Sequence, residues 1–218
     1  MSLDYSKNSN IIVEKLRRAH NPNLAIIRGT FFKAEYLFFR KNVRDQLVLV
    51  VGSGLGDDSF ELVQYNKKVV GIELLSDLVL TSSQIKQKLN LSNVEFYQED
   101  LFFHNPSRKY DTSILNMGTI GNFNDKQKLI TKLLSYSKRV CLDFYLEDEM
   151  SLKIRKKMYQ EEGWKNVKIE NKKIVSEDGL ESKSISKLEL TKIIHELECS
   201  VVYHYLTDFS MMAAISHR

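Results

Sequence analysis

The 218-residue chain has only two cysteines and two prolines, no internal repeat and no low-complexity linker. It also has no apolar run near the roughly 20 residues that a membrane-spanning helix needs. Each shortage removes a class of protein. Cys141 and Cys199 lie inside apolar stretches with no second thiol or histidine at metal-ligand spacing. That excludes a disulfide scaffold, argues against a zinc site and leaves reduced core thiols. Met1 to Asn10 are polar where a secretory signal would carry an apolar core, so a cytoplasmic protein without a membrane partner is expected. An excess of one charge is missing too, since 32 Lys and Arg stand against 28 Asp and Glu for a net +4. Mixed along the chain, these charges neither require nor exclude a nucleic acid. The one compact basic cluster, Lys153, Arg155, Lys156 and Lys157, reads as a solvated helix face. With 43% hydrophobic and 28% charged residues, a chain of this size buries roughly 70% of its unfolded surface, enough for one domain over residues 1–218.

Residues 1–43 read as a helical cap, with two helices over 9–41 broken at Asn21-Pro22-Asn23. The first carries Ile11, Ile12, Val13 and Leu16, the second Phe31, Phe32, Tyr36, Leu37, Phe38 and Phe39. Aromatics at this spacing either pack on a core or line a ligand pocket. Over 44–150 the rhythm changes. Apolar runs at Leu47 to Val51, Val69 to Ile72, Val94 to Tyr97, Thr112 to Leu115 and Arg139 to Phe144 alternate with helical segments. This implies an α/β fold, a parallel sheet covered on both faces. Asn124 and Gln127 suit the start of the helix that buries Leu129, Ile130, Leu133 and Leu134. Residues 151–218 hold a Lys- and Glu-rich helix, a polar strand over 167–175, a turn at Asp178-Gly179 and a helix over 186–198. Two final runs, Cys199 to Tyr205 and Ser210 to Ile215, pair antiparallel to close the sheet. His195, His204 and His217 lack convergent partners and read as structural or surface residues.

The sharpest local signal is Leu47-Val-Leu-Val-Val-Gly52-Ser53-Gly54-Leu-Gly56-Asp57-Asp58, an apolar strand running through spaced glycines into a helix. Glycines there let the backbone turn tightly and approach a ligand closely. A dinucleotide would place its pyrophosphate at that helix start, where Asp57 and Asp58 repel it and no Lys or Arg helps. S-adenosylmethionine, with a sulfonium, an ammonium and one carboxylate, suits an acidic-flanked loop. The Asp pair either caps the helix or touches the ligand. Glu73 ends the next strand 21 residues after Gly52, where an acidic side chain can accept from both ribose hydroxyls. The third strand delivers Glu99-Asp100-Leu101 to the same edge, where a carboxylate can accept from an adenine amino group.

This series resembles the class I S-adenosylmethionine-dependent methyltransferases over residues 44–145. The resemblance implies a Rossmann-like, doubly wound sheet of seven strands, mostly parallel with an antiparallel last strand, behind the helical cap. It also implies that Gly52, Ser53, Gly54 and Gly56 form the cofactor loop, that Glu73 with Leu74 binds the ribose, and that Asp100 with Leu101 holds the adenine. Asn116 and Met117 complete the cofactor contacts. Met117-Gly-Thr-Ile-Gly121-Asn122-Phe123 is similar to the Gly-Asn loop of methyltransferases that modify amino-acid amines, which gives Asn122 a role in holding an amino-bearing acceptor. Read without the resemblance, Gly121-Asn122 forms a turn ahead of the next helix.

Methyl transfer is an in-line displacement that needs alignment, desolvation and a destination for a proton, and it needs no metal. Residues at the carboxyl ends of the fourth and fifth strands face the reacting groups. That nominates Asn116, Thr119 and Asn122 for positioning and Asp143 or Tyr145 as base or amine anchor. Asp143 is either partly buried, which raises its pKa, or a surface strand-end carboxylate. Tyr159 and Trp164 either cover the substrate or pack the C-terminal insertion on the sheet. The expected activity is transfer from S-adenosylmethionine, leaving S-adenosylhomocysteine, to an amine of a small molecule by a monomer or homodimer that requires no nucleic acid. An RNA or protein methyltransferase, a non-catalytic adenosyl-binding module and a dinucleotide oxidoreductase remain as alternatives.

Overall fold

Leu47-Val-Leu-Val-Val, a run of stiff side chains buried from its second residue on, forms β1 (Leu47–Val51) near the middle of a seven-stranded sheet. The computed structural model describes residues 9–21 and 23–218. Pro22 of the interhelical break and Met1 to Asn8 of the polar N-terminal segment lie outside the described residues. In chain order, α1 (Ser9–Ala19) and α2 (Ile26–Asn42) precede β1. They are followed by α3 (Asp57–Leu62), β2 (Lys68–Glu73), α4 (Ser76–Lys88), β3 (Val94–Gln98), β4 (Tyr110–Leu115), α5 (Lys126–Tyr136), β5 (Ser137–Tyr145) and α6 (Glu149–Glu161). Three short strands, β6 (Lys168–Glu170), β7 (Lys173–Val175) and β8 (Glu181–Lys183), then form a separate small sheet. The chain closes with α7 (Lys187–Glu196), β9 (Cys199–Thr207) and β10 (Ser210–His217).

The large sheet has the order β3-β2-β1-β4-β5-β10-β9. β1 pairs in parallel with β2 and β4, and β10 runs antiparallel to both β5 and β9. The expected Rossmann-like architecture with a reversed last strand is therefore present. Strand order reverses between β1 and β4, and in such sheets the ligand crevice lies outside the carboxyl ends at that reversal.

Side-chain alternation divides the core between the two faces. Leu49, Val51, Leu115, Leu142 and Phe144 face one way, against Leu129, Ile130 and Leu133 of α5 and Leu190 and Ile194 of α7. Val48, Val50, Ile114, Cys141 and Met212 face the other, against Phe38 and Phe39 of α2 and Leu62 of α3. Phe31 and Phe32 of α2 join Tyr145, Met158, Tyr159 and Phe209 in a third cluster. The cap aromatics are core residues, and Leu37, at 66% exposure, lies off the buried stripe.

Several local expectations need correction. Asp125, not Asn124, caps α5, because the helix starts at Lys126 and the Asp125 side chain reaches Lys128 N at 2.8 Å. The polar stretch 167–175 is a hairpin, folded at Asn171 and Lys172, whose φ values of 48° and 62° are those of a tight two-residue turn. The basic cluster is not wholly solvated. Leu152, Arg155, Met158 and Tyr159 share the inward stripe of α6, so Arg155 is fully buried. Its Nη2 donates to the carbonyl of Ser182 at 3.0 Å and to Ser182 Oγ at 2.8 Å, and its guanidinium lies over the Tyr145 ring at 4.4 Å.

Candidate active site

The glycine segment leaves β1 at the sheet reversal with left-handed backbone at Gly52, Gly54 and Gly56. A Cβ placed on Gly52 would meet nothing within 4 Å, so Gly52 offers bare backbone to a ligand, whereas one on Gly56 would meet the Phe60 and Phe96 rings at 2.8 and 2.9 Å. Beside it, Ser53 Oγ is buried without a partner. The Glu73 carboxylate accepts from Gly54 N at 3.0 Å, and from Leu74 N at 2.7 Å and Leu75 N at 3.1 Å. It therefore joins the end of β2 to the glycine segment, half-buried. Leu74 is exposed beside it. Asp100 Oδ1 accepts from Phe102 N at 2.8 Å, which turns the chain after β3 and buries Leu101. A glycine segment flanked by two carboxylates at the strand ends has the donor set that fits an adenosyl ligand.

At the end of β4 the chain makes a tight reversal. Met117 and Gly118 both have positive φ, 61° and 65°. Gly118 N donates to both oxygens of Asp143 at 3.0 Å, so β5 holds the turn that follows β4. Asn116 is buried, with Nδ2 donating to Asp58 Oδ2 at 2.9 Å and Oδ1 without a donor. Thr119 Oγ1 donates to the Asn116 carbonyl. Asn122 ends a short 3-10 helix, Thr119–Asn122, and is exposed. Gly121 has a packing reason, because a Cβ there would lie 2.1 Å from the Lys183 carbonyl oxygen.

Gly56, not an aspartate, occupies the cap position of α3, so Asp57 and Asp58 lie in its first turn without capping it. Asp57 Oδ2 faces His20 Nε2 at 3.1 Å, and burial raises its pKa against the pull of that imidazole. Burial pushes Asp58 up to about 6. Asp143 is fully buried rather than surface-exposed, because α2 covers this end of β5. Its carboxyl is pushed up to about 8 by burial, although the Gly118 amide and Arg28 pull the other way.

Four contributors were absent from the sequence reading: His20, Arg28, Glu35 and Glu162. Arg28 Nε donates to Glu162 Oε1 at 2.7 Å and Nη1 to Tyr145 Oη at 2.7 Å. Glu35 is fully buried, and neither of its oxygens has a hydrogen-bond partner. Burial and the carboxylates of Asp143 and Asp58 hold its pKa well above the usual range. The available signal was positional. Arg28 and Glu35 occupy the same inward stripe of α2 as Phe31, Phe32, Phe38 and Phe39. Tyr159 and Trp164 belong to the α6 side of that core, with Tyr159 Oη donating to Ser182 Oγ at 2.8 Å and Trp164 Nε1 to Glu162 Oε2 at 3.1 Å.

α1 crosses this edge. Leu16 lies 3.9 Å from the position a Gly54 Cβ would take, while Lys15 Nζ donates to Gly163 O at 2.6 Å and Arg18 Nε to Glu162 O at 3.1 Å. Among the described residues no group of three or more His, Cys, Asp or Glu is placed to hold a metal ion, and no helix is long and apolar enough to cross a membrane.

A glycine segment and strand-end carboxylates at the sheet reversal, on a seven-stranded sheet with a reversed last strand, define a class I methyltransferase fold. Residues 42–196 match the family described as a methyltransferase domain, and the chain belongs to it as an S-adenosylmethionine-dependent methyltransferase. No curated protein matches the sequence. Among solved structures, the chain is similar to the magnesium protoporphyrin IX methyltransferase of Synechocystis PCC 6803 with bound S-adenosylhomocysteine, at 18% identity and TM-score 0.66, covering 99% of this chain and 97% of that one. PH0226 of Pyrococcus horikoshii OT3 has 19% identity and TM-score 0.68, covering 91% and 97%. The 1,6-didemethyltoxoflavin-N1-methyltransferase of Burkholderia thailandensis has 11% identity and TM-score 0.63, covering 87% and 79%.

Proposed function

We propose that the chain methylates an amine nitrogen of a small-molecule acceptor. The observation that carries this reading is the buried carboxyl pair, Glu35 and Asp143, beside the carboxyl ends of β4 and β5 under the cover of α2. Bound S-adenosylmethionine supplies an electrophilic methyl group on a sulfonium, which leaves as the neutral thioether of S-adenosylhomocysteine when the acceptor nitrogen takes the methyl. Gly52, Ser53, Gly54 and Gly56 cradle that donor, Glu73 and Leu74 take its ribose, Asp100 and Leu101 its adenine, Met117 lies against its amino-acid end, and Asn116 stands between donor and acceptor. An alkylamine enters protonated and has no lone pair to react until a carboxylate accepts its proton. A buried carboxyl whose pKa lies near 8, as at Asp143, is matched to that transfer. Tyr145, held by Arg28, and Asn122, at the mouth, flank the acceptor. α1 and α2 exclude water from the reacting atoms. The neighbours' acceptors, a porphyrin and a toxoflavin precursor by their names, support a small molecule.

Calorimetric titration of wild type and Glu73→Ala with S-adenosylmethionine, S-adenosylhomocysteine and NADH tests the reading. Micromolar binding of both adenosyl ligands, weakened at least about tenfold in Glu73→Ala and with NADH silent, is expected. An acceptor screen begins with small amines. No adenosyl binding by folded wild type overturns it.

A further inference from the structure

Among the described residues, Glu35 is a buried charge-bearing side chain whose two oxygens both lack a partner. It sits in the apolar stripe of α2, fully buried. Asp143 and Asp58 are the acids that face it, and Arg28 is the cation. That guanidinium is already held by Glu162 and by the Tyr145 hydroxyl. Arg28, the cation nearest Glu35 and Asp143, is therefore already engaged, and His20 acts on Asp58 rather than on Glu35. An unpartnered buried carboxyl costs stability, and such a residue persists where it serves a ligand.

A neutral group points the same way. Asn116 is 6% exposed, and its Nδ2 bond to Asp58 fixes the amide and leaves Oδ1 as a buried acceptor with no donor. The free positions in this cluster, both oxygens of Glu35, Asp58 Oδ1 and Asn116 Oδ1, are all hydrogen-bond acceptors once the carboxyls are ionised. An ammonium brings only donors and a positive charge. A carboxylate on the acceptor would find no free cation there, since Arg28 is already bound to Glu162.

The geometry points to Glu35 as the acceptor-binding residue, taking the ammonium group of a cationic amine that carries no carboxylate, with Asn116 Oδ1 and Asp143 beside it. This rests on the methyltransferase reading above and names its substrate class. It separates two halves of the site, a donor half built by the glycine segment and Glu73 and an acceptor half closed by the cap helix.

The test uses the full chain saturated with S-adenosylhomocysteine, whose own binding is measured first. Failure of that binding removes the methyltransferase reading itself. With it in place, ethylamine, ethanolamine and putrescine are titrated beside β-alanine and propanol, into wild type, Glu35→Gln and Glu35→Met. At least one of the three amines is expected to bind wild type, with β-alanine and propanol weaker by tenfold or more. Both variants should lose amine binding at least tenfold, keep S-adenosylhomocysteine affinity within twofold and melt no lower than wild type. Absence of binding by all three amines overturns the assignment, as does equal binding to Glu35→Gln. A fall in S-adenosylhomocysteine affinity would assign Glu35 to the donor, and a lowered melting temperature in both variants would make it a structural residue. Either result also overturns the assignment.

Discussion

Replacing Gly118 by alanine should be strongly destabilising, because two independent penalties coincide there. The backbone has φ +65°, a left-handed conformation that costs an L-residue about 1–2 kcal/mol. The new Cβ would also lie 2.3 Å from both Cδ2 and Cε2 of Tyr145. That ring cannot step aside freely. It is fully buried, its centroid lies 6.0 Å from Phe31 and 6.2 Å from Phe209, and Arg28 holds its hydroxyl at 2.7 Å. Moving the backbone instead would break the bonds from Gly118 N to Asp143. Overpacking of this kind costs about 1–3 kcal/mol, so the sum is roughly 2–5 kcal/mol. For a chain of this length that lowers the melting temperature by roughly 5–15 °C. Gly29, inside α2, is the control, because a Cβ there meets nothing within 4 Å and alanine is the better helix former. Gly29→Ala should stabilise by about 1 kcal/mol. Differential scanning calorimetry on both variants decides the matter. Melting temperatures shifted in the same direction, or a Gly118→Ala shift under about 2 °C, would refute the reasoning.

Asp143→Asn tests the buried carboxyls through pH. Burial places Asp143 near 8 and Asp58 near 6, above the unfolded value of about 4. The folded protein thus keeps protons that the unfolded chain has released. Their stability contribution is complete below about pH 4 and is lost as pH rises through the folded values. The wild-type melting temperature should fall between pH 5 and 9, and Asp143→Asn should flatten that fall above pH 6; parallel curves would sink the idea. Arg28→Met should leave Glu162 buried and without its cation, at a cost of about 3–5 kcal/mol in urea unfolding. A loss below about 1 kcal/mol would mean that the pair is not the closed ion pair described here.

Periodicity carried most of the fold. The runs read from 47, 69, 94, 112 and 139 became β1 to β5 with shifts of one or two residues, and the antiparallel C-terminal pair became β9 and β10. A period of two with helices between it permits few sheets, and connection rules reduce those further. The proposed adenosyl half of the site is nominated for a related reason: a strand, a glycine segment and an acid at the next strand end follow one another in order along the chain. Element starts were less secure. The cap of α5 moved one residue because neighbouring Asn124 and Asp125 both suit the role, and only the path out of the preceding 3-10 helix decides between them.

The proposed acceptor half was illegible because its charges arrive through positions that a search for apolar stripes treats as interruptions. Arg28 and Glu35 on α2 and Arg155 on α6 each stand where the helix period calls for a hydrophobic residue. The two arginines converge on the same ring, Arg28 at the Tyr145 hydroxyl and Arg155 over its face. Their positive charge is taken up there and by Glu162, so it does not neutralise the carboxyls of Glu35 and Asp143. Helix stripe and strand end thus divide the charge, with cations on the aromatic side and unsatisfied acceptors on the side of Asn116. A buried charged residue in phase with an apolar stripe is therefore itself a sequence signal for a site. It becomes readable once the stripe is counted by position rather than by hydrophobicity.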